Sequence, residues 1–291
     1  MNAVEVTGLK KSYARGFWLT RVPTLKGINF QIPKGKITGF LGSNGSGKTT
    51  TIKCILDLVR FEAGSIKILG MDSQDPAARR RIGFLPERPY FYEYLTGREF
   101  LRFYGQLAME ESRPALNQRI EEVLKKIDLV HAGDKYLRTY SKGMLQRIGL
   151  GQAVLHRPEL LILDEPMSGL DPDGRAIISN LIREIADSGT TVFFSTHLLP
   201  DVENLCERLL ILRNGEVAYD GTKKDLLQTL KSDYVVRFFH DNREQELRLP
   251  DLSQAQKMVD QLRAENKAIL ELRPDRPSLE VVYMSFAKDK A

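Results

Sequence analysis

The chain has 291 residues, of which 42% are hydrophobic and 28% are charged, a balance typical of a globular protein with one large domain and a small one. Its 43 Lys and Arg residues against 38 Asp and Glu residues give a net charge of +5, too small an excess to indicate nucleic-acid binding. The longest stretch without Asp, Glu, Lys or Arg covers residues 188–200, shorter than the about 20 apolar residues of a membrane-spanning helix. Two widely separated cysteines predict neither disulfides nor a zinc site, and a reducing cytosol is expected.

The apolar pattern predicts strands that alternate with helices through most of the chain. The predicted strands are Val4 to Leu9, Leu25 to Ile32, Ile37 to Leu41, Glu159 to Leu163 and Thr190 to Ser195, and helical patterns cover Thr49 to Val59 and residues 95–135. Strands that alternate with helices imply an α/β fold with a mainly parallel sheet covered on both faces.

The pattern changes after the hairpin signal Arg213-Asn214-Gly215-Glu216, and a domain boundary is predicted near residue 222. The expected domains are residues 1–221 and a small α+β domain at residues 222–291, whose role stays open. In the small domain the predicted strands are Tyr234 to Phe239, Glu246 to Leu249 and Ala268 to Leu272, with helices at Leu252 to Asn266 and from Ser278.

A glycine-rich motif follows the strand that ends at Leu41. Residues Gly42 to Thr49 fit the pattern G-x-x-x-x-G-K-[ST], which binds nucleotide phosphates when it joins a strand to a helix. Backbone N–H groups of such a loop converge on phosphate oxygens, Lys48 would neutralise the β- and γ-phosphates, and the Thr49 hydroxyl would ligate Mg²⁺. A flexible glycine turn is the weaker alternative. The expected nucleotide contacts in this segment are Gly42, Ser43, Asn44, Gly45, Ser46, Gly47, Lys48, Thr49 and Thr50.

Two adjacent carboxylates, Asp164 and Glu165, end the buried strand LLILDE. Side chains at the carboxyl end of a strand in a parallel sheet emerge at the edge where ligands bind. Asp164 would hold Mg²⁺, usually through water, and Glu165 would orient and deprotonate the attacking water. The alternative is a solvated acidic turn, against which the upstream phosphate loop argues.

With these motifs, residues 3–221 resemble the nucleotide-binding subunit of an ABC transporter. The resemblance implies a P-loop ATPase fold with an antiparallel β subdomain and a helical subdomain at about residues 95–158. It disfavours small P-loop kinases and GTPases.

The segment Tyr140 to Met144, YSKGM, is similar to the LSGGQ signature of this family and departs from it at Lys142 and Met144. By resemblance, Ser141 and Gly143 bind the γ-phosphate of an ATP that is held by a second copy of the chain. ATP would then be sandwiched in a homodimer.

Tyr13, the segment Ser168 to Asp171 and His197 match the family pattern, and Glu87 departs from it. Tyr13 lies where the family has an aromatic residue that stacks on adenine, although a tyrosine near a strand end is also an ordinary strand residue. Ser168 to Asp171 match the D-loop of the dimer interface, and His197 matches the switch histidine that contacts the γ-phosphate. Glu87 replaces the usual glutamine that contacts Mg²⁺ and water, and its carboxylate would bind the metal or be repelled by the γ-phosphate.

Two aromatic segments suggest contact surfaces. One contains Tyr90, Phe91, Tyr92, Tyr94, Phe100, Phe103 and Tyr104. Core packing accounts for the last three, whereas consecutive Tyr90, Phe91 and Tyr92 cannot all face one core, so some should be exposed. By resemblance this segment is the groove for the coupling helix of a membrane partner, with an ordinary loop as the alternative. The loop from Ala14 to Pro23 contains Phe17 and Trp18. Because of these aromatic residues it would contact the membrane or partner, or it would fold over the sheet, and it has no assigned role.

The sequence therefore predicts an ATPase subunit that uses ATP and Mg²⁺ to power transport through a separate integral membrane permease, at the cytoplasmic face of the membrane. Similarity of the C-terminal appendage and of the LPE and SKGM variants to drug-resistance and ABC-2 type exporters favours export, and the substrate is not specified. One rival is a soluble ABC ATPase acting on nucleic acid or ribosomes, but the chain shows no coiled-coil or zinc-bearing insertion, and no nucleic-acid partner is expected. Another is a binding module without turnover, against which Glu165 and His197 argue.

Overall fold

The computed structural model describes residues 1–15, 20–228, 233–240 and 243–275, and the chain divides into two compact units, Met1–Asp220 and Gly221–Ala291. The strands are β1 (Asn2–Arg15), β2 (Thr20–Pro33), β3 (Ile37–Leu41), β4 (Ala63–Ile68), β5 (Met71–Asp72), β6 (Ile82–Leu85), β7 (Leu160–Asp164), β8 (Thr191–Thr196), β9 (Arg208–Arg213), β10 (Glu216–Thr222), β11 (Asp233–His240), β12 (Arg243–Leu249) and β13 (Ile269–Asp275). The helices are α1 (Lys48–Ile55), α2 (Pro76–Arg79), α3 (Gly97–Ala108), α4 (Arg113–Lys126), α5 (Lys142–Val154), α6 (Pro172–Asp187), α7 (Leu199–Leu205), α8 (Lys223–Gln228) and α9 (Leu252–Ala264). Within the described residues, no helix has the length and apolar character needed to span a bilayer.

A six-stranded sheet in the order β10-β9-β3-β8-β7-β6 forms the centre of the first unit. The pairs β3–β8, β3–β9, β7–β8 and β6–β7 are parallel. Strands β3, β7 and β8 are buried along almost their whole length, which explains their continuous apolar runs. Because they run parallel, their last residues Leu41, Asp164 and Thr196 meet at one edge of the sheet. The predicted α/β fold with a mainly parallel sheet is confirmed.

A four-stranded antiparallel sheet in the order β2-β1-β4-β5 shares an apolar core with the parallel sheet and α1. The rings of Phe40 and Phe193 stack with centroids 5.2 Å apart, and Phe30 of β2 lies 6.2 Å from Phe40. Ile52 and Ile55 of α1 are fully buried in the same cluster. This core packs α1 against the two sheets.

The predicted loop from Ala14 to Pro23 is wrong at both ends. Antiparallel pairing of β1 with β2 continues until Arg15 faces Thr20, so residues 14, 15 and 20–23 belong to the two strands. Phe17 and Trp18, on which the contact hypothesis depended, lie outside the described residues.

The helix predicted from Thr49 to Val59 is shorter than expected and ends at Ile55. Asp57 adopts a left-handed backbone conformation with φ 55°, and its N–H donates to Cys54 O at 3.1 Å. The chain therefore leaves the helix although the apolar spacing continues.

Between β6 and β7, the helices α3, α4 and α5 pack around an apolar cluster of their own, as the family resemblance implied. A capping box begins α3, in which Thr96 Oγ1 accepts from the Glu99 N–H at 3.3 Å and the Glu99 carboxylate accepts from the Thr96 N–H at 2.8 Å. Phe100 is buried, whereas Phe103 is 40% exposed. Core packing therefore does not account for Phe103, which faces outward from α3.

In the second unit, β11 pairs antiparallel with both β12 and β13. One face of β11 presents Val236 and Phe238, which pack with Ala255, Val259 and Leu262 of α9. The predicted strands and the first helix are present. The helix predicted from Ser278 lies outside the described residues.

Candidate functional site

The glycine-rich loop between β3 and α1 curves tightly against β2. Gly45 and Gly47 have φ 81° and 113°, in the left-handed region that favours glycine. A Cβ atom at Gly47 would lie 2.8 Å from the Leu25 side chain and 3.2 Å from Thr24 O. Glycine is therefore required here by both the backbone conformation and the close approach of β2.

The turn between β9 and β10 holds the glycine-rich loop in place through backbone hydrogen bonds. Asn214 and Gly215 have φ 48° and 78°, as expected for the predicted hairpin turn. The Gly215 N–H donates to Ser46 O at 3.0 Å, and Gly215 O accepts from the Lys26 N–H at 2.9 Å. The hairpin turn thus ties the phosphate loop to β2.

Lys48, the first residue of α1, is only 6% exposed. Its Nζ donates to Gly42 O at 2.7 Å and reaches Ser43 O at 3.4 Å. Glu165 Oε1 lies 3.4 Å from the same Nζ. The ammonium group is therefore held inside the curve of the loop, where it can neutralise an anion bound by the loop N–H groups.

Asp164 is buried at the end of β7 and is held by a hydroxyl group of the neighbouring strand. Ser195 Oγ of β8 donates to Asp164 Oδ1 at 2.5 Å, and the Thr49 hydroxyl of α1 lies near enough to the carboxylate to favour its charged form. Burial raises the pKa of Asp164, although the hydrogen bonds from Ser195 and Thr49 oppose the rise, and the charges of Glu165 and Glu87 add to it. The carboxylate is thus oriented but poorly solvated.

Glu165 turns away from the strand with φ 51°, which brings its carboxylate to His197. The His197 Nδ1 lies 2.8 Å from Glu165 Oε2. A carboxylate only accepts hydrogen bonds, so the Nδ1 of His197 is the donor in this pair. The ring nitrogen Nε2 is left for another partner.

Most predicted site residues line one cleft of about 410 Å³. The predicted residues along it are Tyr13, Asn44, Gly45, Gly47, Lys48, Thr49, Thr50, Glu87, Glu165 and His197. The other predicted loop residues do not line the cleft. The carbonyl oxygens of Gly42 and Ser43 accept hydrogen bonds from Lys48 Nζ, and Ser46 is buried. The cleft volume and its cationic, N–H-rich end suit a nucleoside polyphosphate.

Ser141 and Gly143 do not join this cleft within one chain. They line a second cleft, of about 480 Å³, with Lys142 and D-loop residues that include Gly169 and Asp171. Ser141 caps α5 by accepting from the Met144 N–H at 3.3 Å, and a helix N-terminus of this kind suits an anion. The two predicted halves of the ATP site therefore lie on separate surfaces of the same chain.

The oxygen donors for Mg²⁺ fit a metal that arrives with a nucleotide. Thr49 and Asp164 meet beside the first cleft, and Glu87 lines it. Among the described residues, no group of three or more His, Cys, Asp or Glu side chains is placed to hold a metal ion. Mg²⁺ is commonly bound by one or two carboxylates together with substrate phosphates, which matches this sparse donor set.

Two residues of the site were not predicted from the sequence. Thr24 lines the first cleft because β2 passes directly under Gly47. Ser195 contacts Asp164 because the two residues are register partners of the parallel strands β7 and β8. The available signal for Ser195 was a hydroxyl near the end of the next buried strand, but its register with Asp164 becomes visible only in three dimensions.

Comparison with known proteins agrees with this geometry. The family model described as ABC transporter matches residues 25–168. An uncharacterized ABC transporter ATP-binding protein of Synechocystis is 36% identical over 99% of this chain and 86% of its own length. The linearmycin resistance ATP-binding protein LnrL of Bacillus subtilis is 35% identical over 80% of this chain and 74% of its own length. A solved dimeric ATP-binding cassette in a post-hydrolysis state, bound to ADP and Pi, is 25% identical with a TM-score of 0.69, over 75% of this chain and 98% of its own. The chain therefore belongs to the ABC transporter ATP-binding proteins and is an ATP-hydrolysing subunit that powers transport.

Proposed function

We propose that two copies of this chain bind two ATP molecules between them and use hydrolysis to drive a separate integral membrane permease. The observation that carries the proposal is the division of phosphate-binding groups between two clefts, with Lys48 and Glu165 in one and Ser141 in the other. In a dimer with two-fold symmetry, the first cleft of each copy can face the second cleft of its partner. The dimeric state of the solved cassette bound to ADP and Pi supports this arrangement.

In the proposed complex the first cleft binds most of the nucleotide. The loop N–H groups and Lys48 hold the phosphates, and the Tyr13 ring, which is 41% exposed at the cleft, is available to stack on adenine. Thr49 and Asp164 would hold Mg²⁺, and Glu87, which lines the same cleft, would offer a further oxygen ligand. The metal, when bound, neutralises charge on the β- and γ-phosphates.

Hydrolysis in this proposal depends on Glu165 and His197. The Glu165 carboxylate accepts a proton from water as the water oxygen bonds to the γ-phosphorus. The bond from that phosphorus to the β-phosphate oxygen breaks, and ADP leaves with the electron pair. In its protonated form, His197 donates from Nδ1 to Glu165 and from Nε2 to the γ-phosphate. Ser141 and Gly143 of the second copy complete the γ-phosphate contacts.

The permease is proposed to bind an exposed aromatic patch made of Tyr90, Tyr92, Tyr94 and Phe103. Tyr90 is 80% exposed and Tyr94 is 70% exposed. The Tyr92 ring packs edge-on against Tyr90 and Phe103, with centroids 5.8 and 5.5 Å away. Clustered exposed rings are unusual on a surface without a partner and are enriched at protein interfaces. The patch follows closely after Glu87 in the chain, so it connects the nucleotide cleft with the proposed partner.

Export is the proposed direction of transport, with the subunit attached to the cytoplasmic face of the membrane. The similarity to LnrL, a linearmycin resistance protein, supports export of a compound whose identity is open. The Synechocystis relative is named as an ABC transporter ATP-binding protein, and neither it nor LnrL is named for an activity on nucleic acid or ribosomes.

The aromatic patch gives a direct test of the partner. Replacing both Tyr90 and Tyr94 by serine should weaken binding to the proposed permease at least about 30-fold, because one interface hot spot contributes about 2 kcal/mol or more. ATPase activity of the isolated subunit should be unchanged. Co-purification from detergent-solubilised membranes measures the association. The control is Leu58→Ser, which removes an apolar side chain that is 62% exposed elsewhere. Undiminished association of the double variant would contradict the proposed surface.

A further inference from the structure

Ser195 is a fully buried hydroxyl residue beside the end of β7. It faces Asp164 in the parallel register of β7 and β8, so the two side chains lie on the same face of the sheet. The Ser195 Oγ donates to Asp164 Oδ1 at 2.5 Å and accepts from the Glu165 N–H at 3.0 Å. One hydroxyl thus connects the side chain of the first carboxylate residue with the backbone of the second.

Both hydrogen bonds of the Ser195 hydroxyl satisfy buried polar groups that have few other hydrogen-bonding partners. Glu165 has φ 51°, a conformation that is costly for a residue with a side chain and persists only when its surroundings hold it. The pairing of β7 with β8 ends at Asp164 and Ser195, so the next N–H depends on the Ser195 hydroxyl. A buried N–H without a partner is strongly unfavourable. Ser195 therefore helps to hold the turn that carries the Glu165 carboxylate.

The hydrogen bond from Ser195 of β8, at 2.5 Å, orients the Asp164 carboxylate, and the Thr49 hydroxyl of α1 lies near it. Without the contact from β8, the carboxylate becomes free to rotate in a buried site. Loss of the Ser195 hydroxyl therefore alters the orientation of the Asp164 carboxylate without removing any side chain that binds the nucleotide.

We propose that Ser195 is a positioning residue for ATP hydrolysis, which aims the Asp164 carboxylate toward the metal and the Glu165 carboxylate toward the attacking water. The inference rests on the proposed roles of Asp164 and Glu165. Ser195 itself lies behind these two residues and does not line the nucleotide cleft. Its effect is therefore on the chemical step and on the use of Mg²⁺, with little effect on nucleotide affinity.

Steady-state kinetics of Ser195→Ala in the full chain test this role. We expect kcat to fall about 10- to 100-fold, the loss that follows from one hydrogen bond to a charged group. The Mg²⁺ concentration for half-maximal activity should rise, while the KM for ATP stays within about twofold, since the loop contacts are unchanged. Ser195→Thr keeps the hydroxyl and should restore kcat and the Mg²⁺ dependence.

Thr191→Val is the matched control, since it removes a buried hydroxyl from the other end of β8, where Thr191 Oγ1 accepts from the Gly35 N–H at 2.9 Å. This control should lower the melting temperature and leave kcat and the Mg²⁺ dependence unchanged. The inference is overturned if Ser195→Ala behaves in the same way, with normal kcat per folded molecule. If the alanine variant does not fold, Ser195→Cys replaces it, because a thiol fills similar space but is a weak donor, and the same loss is expected.

A parallel assay of Glu165→Gln separates the inference from the function on which it rests. Normal turnover in Glu165→Gln would remove the proposed base and with it the proposed function. Lost turnover in Glu165→Gln together with normal kinetics in Ser195→Ala would overturn the positioning role alone.

Discussion

Glu165→Gln is expected to reduce ATP turnover by at least about 100-fold, the lower end of what a general base contributes, while ATP binding is retained. The carboxylate lies between two partners, with Oε1 3.4 Å from Lys48 Nζ and Oε2 2.8 Å from His197 Nδ1. A glutamine has the same shape and can still accept from His197, but its amide cannot take the proton of the attacking water. Phosphate release measures turnover, and equilibrium binding of labelled ATP measures affinity.

The control for this variant is Glu159→Gln, immediately before the amino end of the same strand β7. Glu159 pairs with Lys34 and Arg81 and is remote from the nucleotide cleft along the strand. Its neutralisation should leave turnover unchanged, because the two ion pairs that it weakens are partly exposed and lie away from the cleft. A Glu165→Gln variant with ordinary phosphate release would eliminate Glu165 as the base.

Lys48→Ala is expected to weaken ATP binding at least about 30-fold, because truncating one partner of a buried charge pair costs about 2–5 kcal/mol. The ammonium is buried and is fixed by Gly42 O at 2.7 Å, so it is already placed for the phosphates. Its removal also leaves the Glu165 carboxylate without its cation at the point where another anion must bind. Titration with a fluorescent ATP analogue measures the change.

Lys53→Ala is the control for the lysine, since Lys53 lies on the same helix α1 but is exposed. ATP affinity should be unaffected by this change. If Lys48→Ala binds ATP as tightly as the Lys53 control, the loop does not hold phosphate in the way that the geometry indicates.

The site could be predicted where it depends on local sequence. The apolar runs that end at Leu41 and Asp164 identify buried parallel strands, and the glycine pattern between Gly42 and Lys48 needs a strand before it and a helix after it. Each of these signals is contained in a few neighbouring residues, so no tertiary information was needed.

Other features depend on contacts that a single segment does not contain. The early end of α1 follows from the positive φ of Asp57, which competes with an otherwise helical apolar pattern. Ser195 acquires its partners through the register of β7 with β8. The exposure of Phe103 depends on which face of α3 is covered by α4 and α5. Sequence periodicity does not determine any of these relations.

In the proposed complex ATP joins two copies of the chain, with Lys48 of one copy and Ser141 of the other on the same γ-phosphate. The most direct measurement is the molar mass of Glu165→Gln in solution with and without saturating ATP and Mg²⁺. Ser141→Arg in the Glu165→Gln background places a bulky side chain at the start of α5, and Ser112→Arg does the same at α4, where Ser112 caps the helix. We predict an ATP-dependent dimer for Glu165→Gln and for the Ser112 control, and an ATP-bound monomer with Ser141→Arg. A Glu165→Gln protein that stays monomeric with ATP bound, or a dimer that tolerates Ser141→Arg, would show that ATP is not shared between two copies through Ser141.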